Sequence, residues 1–179
     1  MRKTRHKTVI TTKRLVLRPM QARDRDDLFA VFGNTEVMAY WSTLPHATAE
    51  ETAQLIEQTL AADRETTAEF AIEYAGRVIG KAGFWQMPEI GYLLHRDYWR
   101  RGIGYEALEA LIVYGFDQRG LSQITADVDP DNIASVKLLT KLGFVETDRA
   151  AKTFQIGGKW CDSIYFALQR DSWQQAKAT

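Results

Sequence analysis

The segment from Glu89 to Val128 limits the fold more than any other stretch of the chain. Glu89-Ile90-Gly91-Tyr92-Leu93-Leu94 reads as a strand, and Trp99-Arg100-Arg101-Gly102-Ile103-Gly104 then opens a helix. That helix carries Leu108, Leu111, Ile112, Gly115 and Phe116 on one face and stops at Gly120, a natural C-terminal cap. Ile124, Ala126 and Val128 alternate in a second strand. A strand, a crossover helix and a strand predict two parallel strands of one sheet with the helix packed across them. The glycine-rich start of the helix has its own chemistry. First-turn N–H groups without intrahelical partners, together with the positive end of the helix dipole, favour an anion, and glycine lets a ligand approach the backbone. Arg100 and Arg101 add full charges beside it, so a phosphate-bearing ligand is expected there.

The flanking segments complete a mixed sheet. Leu15 and Leu17 alternate with Arg14, Val16 and Arg18 in an opening strand that Pro19 stops. Asp24 leads a helix through Leu28, Phe29 and Phe32 that ends near Gly33-Asn34. After the loop Trp41 to His46, Thr48-Ala49-Glu50-Glu51 reads as a capping box for a helix through Leu55, Ile56 and Leu60. Phe70, Ile72 and Tyr74 form a strand, Ala75-Gly76-Arg77 turns the chain, and Val78 to Trp85 returns. Beyond Val128, Asp129-Pro130-Asp131 starts a helix bearing Leu138, Leu139 and Leu142, closed by Gly143. A hairpin, Phe154 to Ile156 and Trp160 to Leu168, turns at Gly157-Gly158. The order β-α-α-β-β-β-α-β-α-β-β predicts an α/β protein with a mixed sheet and helices on both faces.

At 179 residues the chain is read as one domain, with a core of about residues 8–169, a basic arm at 1–7 and a tail at 170–179. The formal net charge of zero gives no bulk signal for nucleic acid or membrane, and the basic N-terminus reads as a solvated arm. No apolar run is long enough to span a bilayer, and no hydrophobic stretch follows Met1 to Lys7. Cys161 is the only cysteine, which argues against a disulfide framework and for a cytoplasmic setting. Cys161 reads as a small packed strand residue among Trp160, Ile164, Tyr165 and Phe166. His6, His46 and His95 make no metal-ligand spacing with it, so no metal is expected.

Gly102-Ile103-Gly104-Tyr105-Glu106-Ala107 also satisfies the dinucleotide fingerprint, with Asp127 where a ribose-binding acid would stand. The topology argues against it. In the dinucleotide fold the first glycine follows its strand directly, whereas His95 to Arg101 intervene here. Further parallel units should also follow the acid, and only one helix and a hairpin remain.

The element order, Glu89-Ile90-Gly91-Tyr92, Arg100-Arg101-Gly102-Ile103-Gly104, and Asn132-Ile133-Ala134-Ser135 running to Lys141-Leu142-Gly143-Phe144 resemble the GNAT superfamily of acyl-CoA N-acetyltransferases. Thr12-Lys13-Arg14-Leu15-Val16-Leu17-Arg18 looks like the opening of its Rim-type branch, typified by ribosomal-protein N-terminal acetyltransferases. The resemblance spans about residues 8 to 169. It implies a GNAT-like fold and acetyl-CoA as cosubstrate. The main chain from Arg100 through Gly102 and Ile103 to Gly104 would hold the pyrophosphate. Trp99 stands where the family pattern has glutamine or arginine, so no side-chain bond to the pyrophosphate is expected from that position.

By the same resemblance the strand 89–94 parts from 124–128, and Leu93 and Leu94 offer freed main-chain groups to the pantetheine. An N–H near Leu93 would then polarise the thioester. Amine acetylation needs a proton acceptor, because primary amines are mostly protonated at neutral pH. Glu89 is the expected base and Glu146 a weaker candidate. Leu139 stands where many relatives place a tyrosine acid. Ser135 is the expected acid, and Asn132, one turn before it, a CoA contact. The acceptor side would be lined by the first two helices and the loop Trp41 to His46, with Tyr40 and Trp41 as walls. Glu36 could attract an ammonium there, while Asp24, Asp26 and Asp27 read as a solvated helix start. The implied activity is acetyl transfer to a primary amine, a protein N-terminal α-amine or a small molecule, by direct attack in a ternary complex. A non-catalytic acyl-CoA-binding module of the same fold is the alternative. The α-amine leads because more of it is neutral at pH 7. No nucleic-acid or membrane partner is expected, and the chain would be a monomer or a homodimer.

Overall fold

The computed structural model describes residues 8–178. The basic arm at 1–7 lies outside the described residues. The strands are β1 (Ile10–Thr11), β2 (Leu15–Arg18), β3 (Ala68–Tyr74), β4 (Arg77–Gln86), β5 (Glu89–Leu94), β6 (Gln123–Val128), β7 (Val145–Ile156) and β8 (Lys159–Gln169). The helices are α1 (Arg25–Phe32), α2 (Ala49–Ala61), α3 (Ile103–Val113), α4 (Ile133–Lys141) and α5 (Arg170–Lys177). The strands form one sheet in the order β1-β2-β3-β4-β5-β6-β8-β7. β5 and β6 run parallel, as the crossover predicts, and the other neighbours are antiparallel.

Strand periodicity divides the core between the two faces. Phe70, Ile72, Phe84 and Ile90 pack with Ile103, Leu108 and Leu111 of α3 and Leu139 of α4. On the opposite face Ala71 and Leu93 pack with Leu28, Val31 and Phe32 of α1 and Ile56 of α2. The capping box at α2 is present in a shifted form. Thr48 accepts from Glu51 N–H at 3.4 Å, and Glu51 accepts from Ala47 N–H at 3.0 Å.

Several elements differ from the sequence expectation. β1, only two residues long, is too short to show a strand period in the sequence. β7 begins at Val145, well before Phe154, because irregular register across Ala150/Phe154 hides its period in the sequence. The helix read through Gly120 leaves regular geometry at Tyr114 and finishes in one wide π turn to Gln118. Residues 170–177, read as a tail, form α5 and bury Trp173 on the core.

Asp24 is also not a solvated helix-start carboxylate. It is buried, and Arg18 grips it through two bonds of 2.8 and 2.9 Å while reaching Glu73 at 2.7 Å. Asp27 accepts from Val78 N–H at 3.1 Å and pairs with Arg77, which ties α1 to the start of β4. Removing Asp24 breaks a largely buried ion pair and leaves the part-buried Arg18 only the more exposed Glu73. Asp24→Ala should therefore lower stability by about 3 kcal/mol in urea unfolding.

Candidate functional site

The parallel pair at the centre of the sheet is barely a pair. β5 and β6 share a single register position, Glu89 opposite Thr125, with Thr125 N–H bonded to Pro88 O at 3.0 Å. Beyond that point the strands part, and β5 keeps only β4 as a partner, through Leu94 opposite Gly80. Antiparallel hydrogen bonds alternate along a strand. His95 N–H donates to Ile79 O at 2.7 Å, so Leu93 and Gly91 turn their main-chain groups toward β4. Tyr92 and Leu94 turn theirs to the open side. Leu93, expected to offer freed main-chain groups, is thus engaged with β4, while Leu94 and Tyr92 face the opening. The Trp99 indole donates to Leu94 O at 2.7 Å, which folds the start of the loop back onto β5.

At the end of that loop Gly102 takes φ +73°, a left-handed conformation that suits glycine, and provides no side-chain cap. The first intrahelical bond runs from Glu106 N–H to Gly102 O at 3.1 Å. The N–H groups of Ile103, Gly104 and Tyr105 precede it and have no helical acceptor. Gly104 has a packing role as well, since a Cβ there would stand 3.4 Å from Leu138 of α4. Arg100 and Arg101 are exposed beside the loop, with Arg101 against the Tyr98 ring at 5.5 Å.

The opening strand fastens this loop in place. Glu106, on the first turn of α3, accepts from Thr12 Oγ1 at 2.6 Å, Arg14 N–H at 2.8 Å and Arg14 Nε at 2.6 Å. The same guanidinium donates to Arg101 O at 2.9 Å. Burial pushes the Glu106 carboxyl up, but the Thr12 and Arg14 hydrogen bonds outweigh it and hold the group below its usual value.

On the α1–α2 face the parting strands open onto a cavity of about 760 Å³. Tyr40, Trp41, Leu44 and His46 wall it, with Glu89, Gly91 and Asp127 at the split of the sheet. Trp41 lies so close to Gly91 that a Cβ there would be 3.1 Å from the indole. Its ring also stands 5.4 Å from Lys81 Nζ. Five carboxylates line the cavity, from Glu51, Glu69, Glu89, Asp127 and Asp129, against one lysine, Lys81, which is buried and paired with Glu69. Burial lowers the pKa of His46, which stacks on Phe32, so the imidazole adds no charge near neutrality.

Glu89 is half-buried and accepts from the Trp85 indole at 2.9 Å. Asp127, which the dinucleotide fingerprint would make a ribose ligand, lines the same cavity from β6, two residues beyond Thr125, the register partner of Glu89. Burial pushes its carboxyl up, Ser163 opposes this, and Asp129 adds repulsion. Neither Glu36 nor Glu146 lines the cavity. Glu36 pairs with Arg96, and Glu146 is held by both arms of Arg149. On the opposite face Asn132 caps α4 by accepting from Ser135 N–H at 3.1 Å. Ser135 is buried and hydrogen-bonded to the Tyr92 phenol, a partner that no local spacing reveals. Among the described residues no group of three or more His, Cys, Asp or Glu is placed to hold a metal ion, and no helix is long and apolar enough to cross a membrane.

A family model described as "Acetyltransferase (GNAT) domain" matches residues 14–145. The uncharacterized N-acetyltransferase p20 of Bacillus licheniformis is 31% identical over 166 residues, covering 88% of this chain and 93% of its own. The spermidine N(1)-acetyltransferase of Escherichia coli (strain K12) is 26% identical over 161 residues, 85% of this chain and 84% of its own. Among solved structures, that of RimL, a ribosomal L7/L12 alpha-N-protein acetyltransferase in complex with coenzyme A, aligns with a TM-score of 0.81 at 20% identity, over 92% of this chain and 99% of that one.

Glu106 binds its proton less readily in the folded state than in the unfolded chain. Its network therefore contributes stability that is complete above the unfolded pKa near 4.3 and is lost as pH falls through the lower folded value. Glu106→Gln should melt below the parent at neutral pH, with the gap closing as pH falls below the ordinary carboxylate range. Paired thermal melts across that range check it.

Proposed function

The chain belongs to the GNAT family of acetyltransferases, and from that membership we propose that it moves an acetyl group from acetyl-CoA to a primary amine by direct attack in a ternary complex. One observation carries the reading. The split between β5 and β6 joins a helix start rich in free N–H groups on one side to an acidic cavity on the other. The residues fit the acyl donor. The N–H groups of Ile103, Gly104 and Tyr105, with Arg100 and Arg101 nearby, suit a pyrophosphate. Tyr92 and Leu94 present main-chain groups to an extended pantetheine, and an N–H in this run would polarise the thioester oxygen. Acetyl-CoA itself supplies an activated carbonyl and a thiolate leaving group.

The cavity carboxylates attract the acceptor as an ammonium and must then take a proton from it, since a primary amine is nucleophilic only when neutral. Glu89 is the proposed base. Asp127 is a second reading, favoured by its raised pKa, which brings a carboxylate closer to working pH. Ser135 is the proposed hydrogen-bond donor to the departing sulfur. Asn132, whose Oδ1 caps α4, has its amide nitrogen left for a CoA contact.

For the acceptor, five carboxylates in one cavity support a small amine carrying a further positive charge. A relative that acts on spermidine supports the same class. A protein α-amine is the second reading, supported by the Rim-like opening segment and the likeness to RimL. The lone cysteine fits a cytoplasmic setting.

Thiol release from acetyl-CoA should occur with spermidine or with an ε-blocked peptide bearing a free α-amine. CoA-dependent thermal stabilisation without release across these and other amines would favour the binding-module alternative. Gly102→Val should raise KM for acetyl-CoA much more than KM for the amine, because a β-branched residue resists φ +73° and crowds the anion site. Unchanged CoA affinity in the folded variant would remove the loop assignment.

Glu89→Gln should lower kcat/KM by roughly 10²–10⁴ at neutral pH, with recovery as rising pH neutralises the amine. Such a profile in Asp127→Asn, with Glu89→Gln active, would move the role to Asp127.

A further inference from the structure

Tyr92 stands on β5 with its side chain toward α3 and α4, alongside Ile90 and Leu94. Its phenol hydrogen-bonds Ser135 Oγ on the first turn of α4. Because α4 directly follows β6, this bond links the two arms of the split sheet on the face opposite the acidic cavity. Ser135 is only 9% exposed, and its N–H is already committed to Asn132. Leu139, one turn along the same face of α4, is fully buried and offers no donor.

We propose that Tyr92 is the positioning residue for Ser135. Its O–H donates to Ser135 Oγ and turns the Ser135 O–H toward the opening between β5 and β6, where the thioester sulfur departs. This rests on the acetyl-transfer reading above. The direction of the bond follows from donor chemistry. A phenolic O–H is the more acidic donor, and an aliphatic hydroxyl oxygen the better acceptor. Burial also pushes the Tyr92 phenol up to about 12, so it stays protonated and donating at any working pH. With that lone pair of Ser135 occupied, the serine proton is left for a different acceptor.

The chemistry balances as follows. The amine gives its first proton to a cavity carboxylate, and its lone pair forms the C–N bond. The C–S bond breaks with its electron pair passing to sulfur, and the Ser135 hydrogen bond stabilises the resulting thiolate. The second nitrogen proton leaves as the amide forms, and solvent supplies the proton that completes the thiol. One ammonium and one thioester become one amide, one thiol and one free proton.

The test compares Tyr92→Phe, Ser135→Ala and the double variant, with acetyl-CoA and whichever of spermidine or the ε-blocked peptide the parent acetylates. Ser135→Ala should lower kcat about tenfold to a hundredfold, the value of one hydrogen bond to a charged group. Tyr92→Phe should lower kcat roughly fivefold with KM for acetyl-CoA unchanged, and should have no further effect in the Ser135→Ala background. A slowed Ser135→Ala beside a Tyr92→Phe with parental kcat would overturn the proposal, even if Tyr92→Phe melts earlier. So would multiplicative losses, or a slow Tyr92→Phe beside a fully active Ser135→Ala. A parent that releases no thiol would instead overturn the acetyl-transfer reading itself.

Discussion

The parting of β5 from β6 after one shared register position governs the rest of the molecule. Backbone N–H and C=O groups are costly to leave unpaired in a protein interior. An eight-stranded sheet that opens at its centre therefore needs something to occupy the opening. Here Trp99 satisfies one freed group by bonding Leu94 O, while the groups of Tyr92 remain on the open side. The split also separates the two chemical environments. On one face stand the uncapped start of α3 and the first turn of α4, and on the other a cavity dominated by carboxylates. An acyl donor and an amine acceptor could thus approach the same point from opposite sides of the sheet.

The opening strand serves this arrangement from a distance. Arg14 and Thr12 converge on Glu106, and the Arg14 guanidinium also holds the carbonyl of Arg101. The loop that leads into α3 contains Arg100 at φ +60°, an unfavourable conformation for a side-chain-bearing residue. Contacts from Arg14, outside the loop, fix the main chain on either side of Gly102. Four residues further along, Arg18 does comparable work for α1 through Asp24 and Glu73. The segment Thr12 to Arg18 is thus a structural clamp on both sides of the sheet.

The acidic cavity shows how topology creates a field that composition conceals. The chain is neutral overall, and its carboxylates are scattered along the sequence. Strand order and register bring Glu69, Glu89 and Asp127 to one face, and α2 adds Glu51. The buried Lys81 is matched by Glu69, so the other cavity carboxylates have no cationic side chain of the cavity lining beside them. Charges in a cleft with low-dielectric walls reach further than the same charges on an open surface. Trp41 supplies such a wall against Gly91, where any side chain would meet the indole.

The sequence by itself determined α1 to α4 and most strands, the crossover between β5 and β6, and the glycine-led start of α3. These are local properties. Apolar periodicity and the need for φ > 0 at Gly102 are written within a few residues of where they act. The short β1, the irregular β7 and the amphipathic α5 escaped because brevity, register shifts and a polar composition blur the period. The burial of Asp24 is hidden from the sequence for a different reason, since it depends on Arg18 reaching it from the end of β2. Only the tertiary structure decided which main-chain groups of β5 face the opening, which carboxylates share a cavity, and that Tyr92 meets Ser135. Each depends on contacts between residues far apart in the chain, 43 positions in the case of Tyr92 and Ser135. Such contacts are set by sheet register and helix packing, and no spacing within a single element encodes them.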